Sequence, residues 1–285
     1  MKLLRYGPKG AERPGLLDDE RQIRDLSDHV DDIAGEVLTP EGIARLAALN
    51  VIDLPLVEGA PQAGLRLGPC VGRVGKFIAI GLNYADHAME TGAEVPPEPI
   101  VFNKWTSCIS GPDDDIRIPP GSTRTDWEVE LGIVIGKPAA YVTEAEAMAH
   151  IAGYCVINDV SEREWQMERG PTWDKGKGFD TFGPIGPWMV TADEVDPSDL
   201  HMWLEVDGKR YQDGSTRTMI FGVAQIVSYL SQFMSLQPGD IITTGTPPGV
   251  GLGQKPPVFL KGGETIRLGI EGLGEQRQKV LVQDW

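Results

Sequence analysis

Asp126-Trp127-Glu128-Val129-Glu130-Leu131-Gly132-Ile133-Val134-Ile135 is the stretch that decides the fold class. On a β-strand, alternate side chains share a face. Trp127, Val129, Leu131, Ile133 and Ile135 then line one side, and Glu128 and Glu130 the other. Taken alone, an E-x-E on a strand is most often a solvated outer face. Here the flanking run is long and apolar, and Val134 lies on the side of the two glutamates. A covered strand is expected, and paired carboxylates under cover want a metal.

Strand-like runs recur on either side of this stretch, at Phe77–Gly81, Tyr154–Asn158 and Ile241–Thr244. Asp207-Gly208 inside the alternating run Leu204–Tyr211 is a hairpin signal. Helices are few. One is expected at 40–49, with Thr39 as cap and Pro40 at its first position. Thr143 and Glu146 form a capping box for a short helix reaching Ile151. A third helix, at 222–234, carries Val223, Ile226, Val227, Leu230, Phe233 and Met234 on one face, the pattern of core packing. With Gly 35 and Pro 22, many tight turns are implied. The fold class expected is α+β, rich in β-structure. Residues 1–70 differ in character, and the Pro- and Gly-rich stretch 55–75 reads as a linker. A small N-terminal domain over 1–70 and a catalytic domain over 71–285 are expected.

A chain of 285 residues, 41% hydrophobic and 24% charged, can bury a sizeable core without disulfides or structural metal. Its net charge of −16 disfavours nucleic acid and anionic membranes as partners. Cys70, Cys108 and Cys155 are odd in number and far apart, which suits a reducing cytoplasm. The opening MKLLRYGPKG has no apolar core of a signal peptide, and no apolar run approaches the roughly 20 residues of a membrane span.

Four groups of residues carry candidate chemistry. Asp159 follows the apolar run ending at Asn158 and could join Glu128 and Glu130 as a third hard oxygen ligand; spacing alone leaves it equally a turn or cap residue. In Gly81–Gly92, a helix after Tyr84 would put His87 and Glu90 on one face. A carboxylate beside an imidazole makes a general base for water, although an isolated H-x-x-E is more often surface polarity. Lys177 sits among glycines, where it can approach an anion or simply be part of a basic loop. Thr243–Gly251 offers amides and hydroxyls that could bind a carboxylate. The dinucleotide fingerprint fails there at Gln254, and no P-loop is present.

Taken in order, Gly81-Leu82-Asn83-Tyr84 with His87 and Glu90, Asp126–Gly136, Asn158–Arg163, Gly176–Asp180, Gln212–Thr216 and Gly245-Thr246-Pro247 resemble the fumarylacetoacetate hydrolase family. The resemblance runs from about residue 70 to the C-terminus. It implies a mixed β-sandwich roll with a small N-terminal domain, usually a homodimer. It implies Mg²⁺ or Mn²⁺ on Glu128, Glu130 and Asp159, and a lid delivering His87 and Glu90. Lys177 would meet the developing oxyanion, with Tyr84, Gln166 and Thr246 as substrate contacts. The implied reaction is hydrolysis of the C3–C4 bond of a 2,4-diketo acid, with 2,4-diketo-3-deoxy-L-rhamnonate, giving pyruvate and L-lactate, as the leading substrate. Other members decarboxylate oxaloacetate, isomerise or decarboxylate dioates, or are labelled ureidoglycolate lyases. Asn103, Lys104, Ser107 and Arg124 would suit a polar substrate tail. Gly178, Glu162 and Glu164 depart from the family pattern without removing a ligand. A non-catalytic metal- or metabolite-binding protein on the same scaffold is the reading from a different class.

Overall fold

The computed structural model describes residues 1–58, 64–91 and 94–282, apart from the side chains of His87, Ala88 and Thr91. The decisive stretch forms a strand, Val129–Ile135, buried at every position. It pairs antiparallel with Ile151–Asn158 and with Ile241–Thr243, so its main-chain groups are hydrogen-bonded on both edges.

The sheet around it has ten strands. Across it run Ile23–Asp25, Arg13–Leu17, Lys2–Tyr6, Gly183–Thr191, Ile151–Asn158, Val129–Ile135, Ile241–Thr243, Phe77–Gly81 and Ile100–Lys104, with Ile109–Ser110 paired to Gly183-Pro184 off that path. Most neighbours are antiparallel, but Ile241–Thr243 runs parallel to Phe77–Gly81, so the sheet is mixed. A second sheet holds Lys209–Ser215, His201–Val206, Thr265–Ile270, Gly274–Val282 and Ile116–Ile118. One apolar cluster joins the two, with Leu131 and Ile133 of the first sheet and Leu204, Ile266 and Leu268 of the second all fully buried. Removing each such side chain from water contributes about 1.5–3 kcal/mol. This is the mixed, sheet-rich roll with few helices that the sequence implies.

The local expectations fare well where they rest on neighbouring residues. Helix Pro40–Ala47 starts at Thr39, whose hydroxyl accepts from Gly42 N–H. The Thr143–Glu146 capping box forms, and its helix continues as a 3-10 turn to His150. Asp207 (φ 50°) and Gly208 (φ 76°) make a two-residue hairpin turn with both residues left-handed, as the right-handed strand twist favours. One expectation fails: helix Val223–Ser231 ends before Phe233, which swings out and is 55% exposed, while Met234 packs half-buried on the core.

The first 70 residues add three strands to one edge of the large sheet, through pairing of Lys2-Leu3 with Met189-Val190. Among the described residues no helix is long and apolar enough to cross a membrane.

Candidate functional site

The register of the central strands builds the site. Val129 pairs with Asn158 and Glu130 with Ile157, so Asp159 falls opposite Glu128, and its N–H donates to Glu128 O at 2.9 Å. Glu128, Glu130 and Asp159 are all buried, and each offers a carboxylate oxygen within 4.8 Å of the others. The first two line a cavity of about 450 Å³ together with Asp159, Lys177, Arg163, Gln166, Thr246 and Glu90. The rest of its lining is largely apolar, with Leu82, Phe102, Met167, Trp173, Val250 and Leu252.

Burying like charges together is costly, and the three carboxylates solve the problem unequally. Burial works to raise the Glu128 pKa, but Arg163 and Lys177 outweigh it and hold Glu128 at about 2. Arg163 Nη2 donates to Glu128 Oε1 at 2.7 Å, and Lys177 Nζ to Glu128 Oε2 at 2.5 Å. Lys177 also donates to Asp159 Oδ2 at 2.7 Å. Among the described residues no cation pairs directly with Glu130. Burial, then the charges of Asp159 and Glu128, push it well above the usual carboxylate range, and Lys177 lowers its pKa only in part. Thr243 Oγ1 and Gly245 N donate to its Oε2 at 2.5 and 2.7 Å. Lys104 Nζ lies 2.7 Å from Asp159 Oδ1, close enough to pair in charge. The angle is outside hydrogen-bonding range, however, so that buried oxygen lacks a hydrogen-bond partner.

These observations fit a hard divalent cation. The donors are three converging carboxylate oxygens, and one of the carboxylates is electrostatically destabilised by the other two. Lys177 Nζ, bridging Glu128 and Asp159, shows that a positive charge is already favoured between them.

The remaining expected residues divide. Residues 85–91 form a helix, which Glu90 hangs over the cavity; both Glu90 oxygens accept from Gly249 N–H, at 3.1 and 3.2 Å. The His87 side chain lies outside the described residues. Gln166 is buried on helix Arg163–Met167 and accepts from Arg163 Nη1 at 3.0 Å. Thr246 is held from two directions: its hydroxyl donates to Val129 O at 2.9 Å and accepts from Gln212 Nε2 at 2.7 Å. Tyr84 is fully buried off the cavity, its hydroxyl donating to Met202 Sδ at 3.2 Å. The expected polar tail pocket does not form: Asn103 and Ser107 are exposed and Arg124 pairs with Glu168, while Lys104 lies behind Asp159.

The glycine-rich Thr243–Gly251 segment departs from expectation in an informative way. Its amides serve the protein's own carboxylates: Gly245 serves Glu130, Gly249 serves Glu90 and Gly251 serves Asp126. At Gly249 (φ 108°) a Cβ would lie 1.9 Å from Tyr211 O, so only glycine fits.

Arg163, Asp126 and Lys104 are the functional neighbours that spacing did not single out. Arg163 and Gln166, three apart, do carry a helical signal. Nothing local marks Lys104 or Asp126, whose partners are distant in sequence.

Residues 76–281 match the fumarylacetoacetate (FAA) hydrolase C-terminal family. A relative from Burkholderia multivorans is 69% identical over 280 residues, 98% of each chain, and carries a provisional hydrolase name. The solved fumarylacetoacetate hydrolase of Exiguobacterium antarcticum is similar with a TM-score of 0.86 at 35% identity, over 99% of this chain and 100% of that one. A maleylpyruvate hydrolase from Sphingobium sp. SYK-6, solved with manganese(II) and pyruvate, has a TM-score of 0.81 at 30% identity over 100% of both chains. The 285 residues therefore belong to the fumarylacetoacetate hydrolase family, a family of enzymes.

Proposed function

We propose that the protein hydrolyses the C3–C4 bond of a 2,4-diketo acid of acylpyruvate type, releasing pyruvate. The observation carrying this reading is the convergence of Glu128, Glu130 and Asp159 on a cavity that Glu90 overhangs. Glu128, Glu130 and Asp159 would hold Mg²⁺ or Mn²⁺, which supplies Lewis-acid stabilisation to the oxygens of a 2-oxo acid. The manganese and pyruvate in the maleylpyruvate hydrolase support the same assignment.

His87 takes a proton from water, and Glu90 orients its imidazole and steadies the positive charge that results. Gly249 N–H fixes the Glu90 carboxylate for that task. Hydroxide adds to the C4 carbonyl; the C3–C4 bond then breaks, its electron pair passes into the enolate of pyruvate, and C3 takes back the proton held by His87. Lys177, on the cavity wall, offsets the charge of the oxyanion. Gln166 and Thr246 contact the substrate, and we assign Tyr84 to packing beneath it. The apolar wall keeps water from the tail. A lactoyl tail, as in 2,4-diketo-3-deoxy-L-rhamnonate, ends in a methyl group that such a wall accepts, and it is our leading substrate. Residues 71–285 form the catalytic part, working in the cytoplasm as a homodimer.

The test is pyruvate release from a panel of 2,4-diketo acids, sugar-derived and acyl, with Mg²⁺, with Mn²⁺ and with EDTA. Metal-dependent release from a diketo acid is expected. Release from oxaloacetate alone would replace hydrolysis by decarboxylation. Metal uptake without turnover of any panel member would favour a binding protein.

A further inference from the structure

Asp126 is a fully buried carboxylate that the proposed chemistry leaves unused. It sits on a two-residue strand, Thr125-Asp126, paired with Ser161-Glu162, and does not line the cavity. Its Oδ1 accepts from Trp127 N at 2.8 Å and from Gly251 N at 2.6 Å. Its Oδ2 accepts from Leu252 N at 2.9 Å and from Arg163 Nε at 2.8 Å, with Arg163 Nη2 at 2.7 Å. Both ends of this network reach the cavity. Leu252 is part of its apolar wall, and Arg163 passes on to Glu128 Oε1 and Gln166 Oε1. The same short loop carries Gly249, whose N–H holds Glu90.

We propose that Asp126 is a positioning residue: it divides the Arg163 guanidinium between itself and Glu128, and it pins the 251–252 amides of the segment whose Val250, Leu252 and Gly253 line the cavity. The proposal rests on the metal-site reading above for its first half only. The physical reason is charge sharing. With Asp126 ionised, Arg163 is held by two carboxylates, and Glu128 keeps part of its charge for a cation. Without it, Arg163 turns its full charge on Glu128, and the site also loses one negative charge. Both effects weaken cation binding. Asparagine in place of Asp126 would also set an amide donor against backbone or guanidinium donors, which loosens the loop.

The experiment uses the full chain freed of metal. In Asp126→Asn, calorimetric titration with Mn²⁺ is expected to give a dissociation constant about tenfold higher or more. The Gly251 and Leu252 amides are expected to exchange hydrogen about tenfold faster than in wild type. Asp126→Asn added to Arg163→Met should cost less Mn²⁺ affinity than Asp126→Asn costs in the wild type, because the part of the effect that travels through Arg163 is then absent. A merely structural role would lower thermal stability without this non-additivity. If Asp126→Asn does not fold, Arg163→Lys serves: it keeps the charge but loses the planar fork that meets Asp126 through Nε and Glu128 through Nη2, and a loss of affinity is expected. Wild-type Mn²⁺ affinity in the variant together with unchanged amide exchange overturns the proposal. A wild-type protein that takes up no Mn²⁺ would instead overturn the metal reading, and the amide exchange then decides whether Asp126 pins the wall.

Discussion

Two networks of paired acids and bases lie in different parts of the ten-stranded sheet, one beside its N-terminal strands and one at its central strands, and they are built to different ends. Near the N-terminus, Arg5 pairs with Asp32 at 2.6 Å, and Arg66 spans Glu12 and Asp114 at 2.9 and 2.7 Å. Burial works against Glu12 and Asp114, but the Arg66 hydrogen bonds and neighbouring cations leave both below the usual carboxylate range. Every charge there has a partner, as a fastening requires. At the cavity, Glu128, Glu130 and Asp159 face Arg163 and Lys177, with Asp126 and Lys104 buried off its lining, and Glu130 is left under like-charge pressure. A network that is satisfied holds structure together. One that is short of positive charge is poised to take it up.

The comparison can be broken most severely at a proposed ligand. Asp159→Asn is expected to abolish Mn²⁺ binding and to bring pyruvate release to background, measured by calorimetry and a coupled assay. Retained metal affinity would mean that the carboxylates serve stability alone. Lys177→Met should lower kcat by about 10²–10³-fold, the loss typical of an oxyanion partner, with the fold intact by circular dichroism. A loss in KM only would move Lys177 from the oxyanion to ground-state binding.

Smaller effects sharpen the contrast. Mn²⁺ at 100 times its dissociation constant should stabilise the wild type by about 2.7 kcal/mol in denaturant melts, and Asp159→Asn not at all. Arg66→Met should cost about 1–3 kcal/mol while leaving turnover and Mn²⁺ affinity unchanged. It should also alter the acid limb of stability. Carboxyls depressed in the folded state stabilise it above their unfolded pKa, and that contribution fades as pH falls through the folded value. Below about pH 4 the wild type should therefore lose stability more steeply than Arg66→Met, as thermal melts across pH 2–6 would reveal.

The legibility of the sequence follows the distance over which each feature is decided. The strand expected in 126–135 forms over Val129–Ile135 and is buried at every position, while the Thr39 cap, the Thr143–Glu146 box and the Asp207-Gly208 turn depend on neighbouring residues and form as read. Phe233 was misassigned because where a helix ends is settled by packing, and the apolar stripe continues past the last helical turn. The glycine-rich segment offers amides for a carboxylate, but glycine spacing does not say which acids those amides meet, and here they are the protein's own. Lys104, expected to suit a polar substrate tail, is instead buried and paired with Asp159.

By itself, the sequence determined which residue types could do the chemistry and which local elements carry them: two glutamates on one face of a strand, an aspartate at a strand end, and the His87–Glu90 spacing of a helical turn. Only the tertiary structure decided that the glutamate face is covered, that Asp159 lies opposite Glu128, and that Lys104, Asp126 and Arg163 surround them. The reason is physical. Propensity and periodicity act through contacts within a few residues, whereas burial and charge pairing join groups from separate strands, and a carboxylate's environment exists only once those strands have met.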